Sequence, residues 1–266
     1  MACQSGTSYI VQSGDTLYTI AQQKLGDGNR WPEIKNPDGS SPDPSKLYPG
    51  EELCLPVAAG DGFTDIVSRA SFDTLFPNKN GLYTYDNLVA ASHQYVGFCN
   101  EGSLDDRKRE AAAFLAHVSH ETGGLVYVDE QNPPISYCNP SFTAWPCVPG
   151  KSYHGRGPLQ LSWNFNYGPF GLAIGKDLLH QPELVSNDGA ITWVAALWFW
   201  MTPQGQHQGR CHEALRTSGF GATIDIINGE IECHKSSPTP QAVDRIRLYQ
   251  DYAGRFGVDP GGNLYC

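Results

Sequence analysis

The chain has 266 residues, enough for one domain of ordinary size and a smaller one. Its 28 acidic and 18 basic residues give a net charge of −10, and the basic residues are scattered. This balance excludes electrostatic attraction to nucleic acid or to an anionic membrane and favours a neutral ligand. The longest apolar run, residues 194–201, is much shorter than the roughly 20 residues that span a bilayer, so we predict a buried helix there.

The chain begins with MACQSG, which has neither a basic segment nor a long apolar one. We therefore predict that this chain carries no signal peptide and is a mature form or one with an added Met1. Eight cysteines, together with 29 glycines, 19 prolines and 13 tyrosines, are typical of a secreted protein held by disulfides. We predict bridges Cys3–Cys54 and Cys138–Cys147, each flanking a turn-rich or domain-sized segment. The sequence leaves open the pairing of the other disulfide candidates, which are Cys99, Cys211, Cys233 and Cys266.

Residues 7–56 indicate a small domain with the order β-α-α-β. A strand around residues 9–11 precedes the turn SGDT, a helix begins at Leu17, and a second helix is expected around residues 31–34 before a last strand. Ser13 or Asp15 is the expected N-cap of the first helix. A proline-rich loop, NPDGSSPDPS, should be exposed before the last strand.

This segment resembles a LysM module through YIV, GDTL, W-x-x-I, Asn36 and LYPGE in that order. The resemblance implies a shallow groove for N-acetylglucosamine oligomers, formed by the loop after the first strand and the loop before the second. The corresponding residues here are Gly14, Asp15, Thr16, Leu17, Asn36, Pro37, Asp38 and Gly39.

The segment VAAGDG that follows is small and lacks any period, so we predict a module at 1–57, a short linker at 58–62 and a second domain at 63–266. Amphipathic stretches in the second domain lie at 64–76, 85–97, 107–121, 190–201, 211–227 and 241–256. Alternating strand patterns are scarce. The second domain is therefore predicted to be mainly α-helical, with loops held by cysteines and proline turns.

Two glutamates in unlike surroundings follow one another at the end of the third stretch. Glu121 ends an alanine-rich helix pattern, where burial disfavours the charged carboxylate, as a general acid working near neutral pH requires. Glu130 lies in a loop interrupted by prolines and should stay solvated and ionised. The pair is suited to acid and base catalysis, although a helix-end glutamate near a loop glutamate is also a common structural accident.

The second domain carries SHETGG, EQN, YHGRGPLQLSWNFNY, ALWFWMTP and GFGATIDIINGEIEC in that order, and through them it resembles glycoside hydrolase family 19, the chitinases. A zincin is excluded because Gly124 stands where its second histidine would have to be. The resemblance implies a lysozyme-like α+β fold, stabilised by disulfides, that needs no metal or organic cofactor. His117 and His120 lie three residues apart on a helix pattern, but no third ligand follows at a useful spacing, so we assign them to packing and hydrogen bonding rather than to a metal site.

The resemblance also implies roles for individual residues. Glu121 becomes the general acid, Glu130 the general base, and Ser162 the hydroxyl that holds the attacking water. The positions implied for substrate binding or for the walls and charges of the cleft are His120, Trp145, Tyr153, Gln160, Asn166, Asn228, Glu232 and Arg245. Among these, Glu232 and Arg245 resemble an ion pair that couples to the base.

Departures from the family pattern are Phe165 in place of tyrosine, Val194 in place of lysine, and His154 in place of a second tyrosine. Short loops imply few subsites and a cleft open at both ends. We therefore predict a monomeric, secreted endochitinase that hydrolyses β-1,4 linkages of chitin with inversion, with antifungal action as one role. Two alternatives stay open, a peptidoglycan-cleaving lysozyme or endolysin and a catalytically silent chitin-binding lectin.

Overall fold

The computed structural model describes residues 3, 7–24, 28–55, 62–133, 135–203 and 209–266. The chain folds into two compact units that divide between Gly62 and Phe63. The predicted linker at 58–62 falls almost entirely outside the described residues, so the domain boundaries stay a prediction. Each unit has its own apolar core.

In the N-terminal unit, strand β1 (Thr7–Ile10) pairs antiparallel with strand β2 (Glu52–Leu55). Helix α1 (Leu17–Lys24) and a 3₁₀ helix (Gly28–Glu33) lie between the strands in the sequence. The predicted order of elements is confirmed, but the second helix is 3₁₀ rather than α. Pro32 lies inside it, and proline supplies no backbone N–H for an α-helical hydrogen bond.

The first helix is capped by a different residue from the one predicted. Thr16 Oγ1 accepts a hydrogen bond from the backbone N–H of Thr19 at 3.1 Å. Asp15, which we expected as a cap, instead accepts from the Tyr9 hydroxyl and the Gln12 N–H, both at 2.7 Å. Its carboxylate therefore braces the turn before the helix.

The second unit is built from helices α2 (Arg69–Leu75), α3 (Tyr85–Ser92), α4 (Leu104–Thr122), α5 (Asn164–Ala173), α6 (Leu184–Asn187), α7 (Gly189–Met201), α8 (Cys211–Ser218), α9 (Phe220–Glu232) and α10 (Pro240–Arg255). Each predicted amphipathic stretch contains a helix. The stretch 211–227 divides into α8 and α9 at Gly219, whose φ of +90° is left-handed. Among the described helices, none is both long enough and apolar enough to cross a membrane.

Helix α5 was not predicted because its sequence contains two glycines and a proline. Gly168 is required by packing rather than by backbone conformation, since a Cβ atom there would lie 2.3 Å from the Trp145 ring. Because glycine has a low helix propensity, this packing requirement obscures the helix in the sequence.

Helix α4 is the central element of this unit. It begins with a capping box between Ser103 and Asp106 and ends at Gly123, which adopts the left-handed conformation with φ 60°. Residues 111–116 are fully buried, and four of them are alanines, which lets neighbouring helices approach closely. Helix α10 packs along α4. The last turn of α4 carries Glu121.

The predicted disulfides Cys3–Cys54 and Cys138–Cys147 are confirmed, and a third bridge joins Cys233 to Cys266. The candidates Cys99 and Cys211 are not bridged: both are buried free thiols. Burial raises the pKa of each thiol above its usual value, so both stay protonated and unreactive at neutral pH.

We predict that removing Cys233–Cys266 costs more stability than removing Cys138–Cys147, because the first bridge closes 33 residues and the second closes 9. Loop-closure entropy gives losses of about 4 and about 3 kcal/mol for the paired serine variants. Denaturant unfolding of the two double variants measures both. Equal losses, or a larger loss for the shorter loop, would contradict this account.

Candidate functional site

A cleft of about 700 Å³ crosses the second unit. Its lining comes from residues within 121–131, 137–139, 155–166 and 226–231, together with Phe199. Glu121 and Glu130 both line this cleft, so the structure brings the two predicted carboxylates together. Within the helix predicted to be buried, the half-buried ring of Phe199 reaches the cleft, whereas Trp200 is fully buried.

Glu121 is held on the helical side of the cleft. Its carboxylate forms an ion pair with the guanidinium of Arg245 on α10. The exposed fraction of the Glu121 side chain is 18%, against 1% for Arg245. The acid therefore has one edge in the cleft and one edge against a buried cation.

Arg245 binds a second carboxylate, that of Glu232 at the end of α9. Arg245 Nη2 donates to Glu232 Oε1 at 2.9 Å and Nε donates to Oε2 at 3.0 Å. Burial disfavours the ionised form of Glu232, but the hydrogen bonds and charge of Arg245 outweigh burial and lower its pKa. Glu232 is thus ionised and balances the charge of Arg245. Glu121 and Glu232 therefore share one buried cation.

This arrangement corrects one expectation. The Glu232–Arg245 pair was expected to couple to the base, but it contacts Glu121, the expected acid, and within the described residues it makes no contact with Glu130. The reason is helix packing: α10 lies along α4, so Arg245 faces the last turn of α4 rather than the loop that carries Glu130.

Glu130 lies on the other side of the cleft, where loops replace helices. The Tyr137 hydroxyl donates to Oε1 at 2.6 Å, and the Gly155 N–H donates to Oε2 at 3.1 Å. The backbone N–H of Glu130 also donates to the Gly155 carbonyl at 2.8 Å. Burial, followed by the hydrogen bond to Glu130, raises the pKa of Tyr137 to about 12, so the phenol stays a donor. Two donors therefore fix the position of the Glu130 carboxylate.

A cluster of charged side chains stabilises the loop that carries Glu130. Asp129 pairs with His154 Nε2 at 3.1 Å and with Arg156 Nε at 3.2 Å. Arg156 Nη1 donates to the Tyr167 hydroxyl at 2.9 Å and to the Ser152 carbonyl at 3.0 Å. Asp129, next to Glu130, and His154 and Arg156, on either side of Gly155, are therefore anchored. His154, the residue that departs from the family pattern, is part of this anchor.

Four further predicted residues reach the cleft, namely Ser162, Gln160, Asn166 and Asn228. The amide nitrogens of the last three donate to the protein, at 2.9 Å from Gln160 to the Gly157 carbonyl, 2.9 Å from Asn166 to the Ser162 carbonyl and 2.8 Å from Asn228 to Glu232. Their amide oxygens are the groups left for a ligand. Nothing in the described part of the chain hydrogen-bonds to the Ser162 hydroxyl.

The structure places other predicted residues outside the cleft lining. Tyr153 is fully buried, and its hydroxyl accepts from the Val148 N–H at 3.0 Å and donates to the Leu179 carbonyl at 3.1 Å, so it has no reach to a sugar. Trp145 packs against Gly168 of α5. His120 pairs with Asp244 through Nδ1 at 2.8 Å.

Sequence reasoning missed several aromatic residues in the cleft. Tyr127 is 50% exposed there. The Trp163 and Phe165 rings stack at 5.7 Å, and Tyr137 meets Trp163 edge-on at 5.2 Å. The aromatic content of EQN…YCN and SWNF was the available signal, but loop residues follow no hydrophobic period that tells a cleft from a core.

Of the residues predicted to bind a ligand in the N-terminal unit, all but one are at least partly exposed. Leu17 is 2% exposed and belongs to the core of the unit, so it is not available to a ligand. The residues that are exposed or half-exposed are Gly14, Asp15, Thr16, Asn36, Pro37, Asp38 and Gly39. Asn36 Nδ2 donates to Ser40 Oγ at 2.9 Å, which stabilises the second loop. Their role as a groove stays a prediction.

Comparison with known families gives two matches along the chain. Residues 61–266 match the glycoside hydrolase family described as chitinase class I. Residues 9–56 match the LysM domain. Both matches agree in position with the two resemblances found in the sequence.

Individual relatives carry chitinase names. Chitinase 5 of Oryza sativa subsp. japonica is 50% identical over 217 residues, covering 78% of this chain and 72% of the relative. Endochitinase CH25 of Brassica napus is 42% identical over 245 residues, covering 79% of this chain and 75% of the relative. The crystal structure of chitinase C from Streptomyces griseus HUT6037 is similar with a TM-score of 0.71 and 44% identity, covering 76% of this chain and 97% of that one.

We predict that Tyr137→Phe lowers kcat/KM on a soluble chitin oligomer about tenfold or more, because a hydrogen bond to a charged carboxylate is worth roughly 1.5–3 kcal/mol. Steady-state kinetics measures this. The matched control is Tyr85→Phe, which loses a hydrogen bond of 2.6 Å to the Val67 carbonyl outside the cleft and should keep its turnover. Unchanged kinetics in Tyr137→Phe would contradict a role for the phenol at Glu130.

Proposed function

The chain belongs to glycoside hydrolase family 19, the chitinases, and from that premise we propose that Glu121 and Glu130 hydrolyse chitin internally with inversion at the anomeric carbon. Glu121 protonates the leaving glycosidic oxygen. Glu130 removes a proton from the water that attacks the sugar. The observation that carries this assignment is that two carboxylates line one cleft with unlike partners.

The partners of each carboxylate support its role. Glu121 lies against Arg245, a cation placed to stabilise the charge that Glu121 acquires when it gives its proton to the leaving group. Glu130 is held by two donors, the Tyr137 hydroxyl and the Gly155 N–H, which orient its carboxylate within the cleft. Inversion needs carboxyl groups about 6.5–9.5 Å apart, with room for water. In the structure each carboxylate has its own partners on its own side of the cleft.

Ser162 is the proposed holder of the attacking water. It lines the cleft on the segment that follows Gly155, the residue whose N–H binds Glu130. Its hydroxyl supplies one donor and two acceptor positions, which suits a water molecule placed beside a carboxylate. The amide oxygens of Gln160, Asn166 and Asn228 are proposed acceptors for sugar hydroxyl or acetamido N–H groups.

We predict that Glu121→Gln loses nearly all turnover of a soluble chitin hexamer and Glu130→Gln loses most of it, because acid and base catalysis each supply a factor of about 10²–10⁴. Both variants should keep the wild-type fold. Exposed Glu213 on α8 provides the matched control, and Glu213→Gln should be fully active. The measurement is a time course of product anomers. Products that retain the starting configuration, or a folded Glu121→Gln with more than a few per cent of turnover, would refute the assignment.

We further propose that the N-terminal unit tethers the enzyme to chitin, since LysM modules bind this glycan in the family that the sequence resembles. The relatives named above are chitinases, which supports chitin over peptidoglycan as the substrate. Three disulfides support action outside the cell. Monomeric action on a neutral polymer is consistent with the net charge of −10.

We predict that deleting residues 1–60 lowers activity on insoluble chitin, and antifungal action, more than activity on soluble oligomers, because a tether raises the local concentration of the enzyme only at a surface. Paired assays on the two substrates measure the ratio. The soluble hexamer serves as the internal control for folding of the remaining domain. Equal losses on both substrates would argue against the tether.

A further inference from the structure

His117 lies one helical turn before Glu121 on α4 and is fully buried. Its Nδ1 is 3.1 Å from Arg245 Nη1, and its Nε2 is 2.8 Å from Thr223 Oγ1 on α9. The ring stacks on Phe220 with 4.7 Å between centroids and 19° between planes. Both ring nitrogens and one ring face are therefore engaged by the protein.

The hydrogen bonds determine which tautomer is present. The Thr223 hydroxyl donates to the Phe220 carbonyl at 2.6 Å, so its oxygen is an acceptor towards the imidazole. Nε2 must then carry the proton and donate it to Thr223. Nδ1 is left with a lone pair, and it accepts from Arg245, which has only donors.

The surroundings keep the ring neutral. Burial, followed by the charges of Arg245 and His120, lowers the pKa of His117 well below its usual value. A second proton would have to enter at Nδ1, which faces a guanidinium. In the described part of the chain, the charged and titratable groups around this site are Arg245 on α10, Glu232 on α9, and Glu121 and His120 on α4.

The contact with His117 completes the binding of Arg245. Nε and Nη2 face Glu232, Nη2 also faces Glu121, and Nη1 faces His117. The planar guanidinium is held from three directions, which fixes its rotation as well as its position. Without an acceptor at Nη1, a buried donor is left unsatisfied and the guanidinium loses one of its three contacts.

We propose that His117 is a positioning residue that, as a neutral acceptor locked by Thr223, holds Arg245 in the orientation that serves Glu121. The inference rests on the proposed role of Glu121 as the acid. His117 does not line the cleft, so it acts through Arg245 and touches no substrate.

The first test uses the unmodified protein. Two-dimensional ¹⁵N NMR of histidine-labelled enzyme should show His117 as the neutral Nε2–H tautomer with no titration between about pH 5 and pH 8, the range in which histidine ordinarily changes charge. A Nδ1–H tautomer or an imidazolium in that range would overturn the proposal.

The second test separates hydrogen bonding from packing. His117→Phe keeps a stacked ring and removes both nitrogens, whereas His117→Gln removes the ring and keeps an acceptor and a donor. We expect His117→Phe to lose about tenfold in kcat with KM unchanged, the loss expected for one hydrogen bond to a charged group. We expect His117→Gln to stay within about threefold of wild type. A residue that only fills space would give the opposite order or unchanged kcat in both.

The pH dependence of kcat/KM distinguishes the two roles, because a change in packing alone would not shift it. In His117→Phe the basic limb of kcat/KM should shift to higher pH, because a loosened Arg245 favours the ionised form of Glu121 less. If this variant does not fold, the nearly isosteric Thr223→Val, which unlocks the tautomer, should show the same shift with a smaller loss of kcat. An unchanged profile in the folded variants would overturn the proposal.

The variant Glu121→Gln shows whether the proposed function fails or only the inference about His117. If Glu121→Gln retains turnover, the proposed function fails and His117 has no acid to serve. If Glu121→Gln is inactive but His117→Phe and Thr223→Val match the wild type in kcat and pH profile, only the inference about His117 fails.

Discussion

The buried ion pair of Arg245 with Glu232 is the interaction on which the helical side of the cleft depends. An isolated guanidinium in the protein interior costs several kcal/mol unless its donors are met. The donors of Arg245 find their partners only where α4, α9 and α10 come together. Within α9, Asn228 has a non-helical backbone. Helix packing and the charge arrangement of the site are therefore one constraint. A change that separates these helices exposes a buried charge, and a change that removes the charge leaves α9 and α10 without their shared polar contact.

The opposite side of the cleft is built by other means. No helix presents Glu130; its position comes from backbone pairing with Gly155 and from loop residues with left-handed backbones, including Tyr137 at φ 53°, Gln160 at φ 47° and Trp163 at φ 74°. Non-glycine residues adopt such φ values only where surrounding contacts enforce them. Here the contacts are the Cys138–Cys147 bridge, the Asp129–Arg156 pair and the aromatic stack around Trp163. Rigid helices thus lie on one side of the cleft and a loop held by these contacts lies on the other.

Features that depend on the local sequence pattern were predicted correctly. Features that depend on contacts between residues distant in the sequence were not. Apolar periods predicted α4, α7 and α10, and short-range spacing predicted Cys138–Cys147. Gly168 helped to conceal helix α5 because the contact that requires it, with the Trp145 ring, lies elsewhere in the sequence. The partner of Arg245 was assigned to the wrong carboxylate for a related reason: ordered motifs identify which residues are present, but only helix packing decides that Arg245 meets Glu121. Tyr153 shows the same limit, since one residue inside a motif can point into the core.

The asymmetry between the two sides matches the proton transfers that the proposed mechanism assigns to the two carboxylates. Before proton transfer, Glu121 with its proton, ionised Glu232 and Arg245 together carry no net charge, and His117 adds none. After transfer, Glu121 is ionised, and it already lies against Arg245, so the new charge forms beside a cation that needs no movement to receive it. In the proposed mechanism Glu130 undergoes the reverse change: it begins ionised, with Tyr137 and Gly155 as donors, and ends protonated. A single guanidinium placed between two carboxylates thus supports the acid in both of its states, which neither a solvated glutamate nor a glutamate buried alone would achieve.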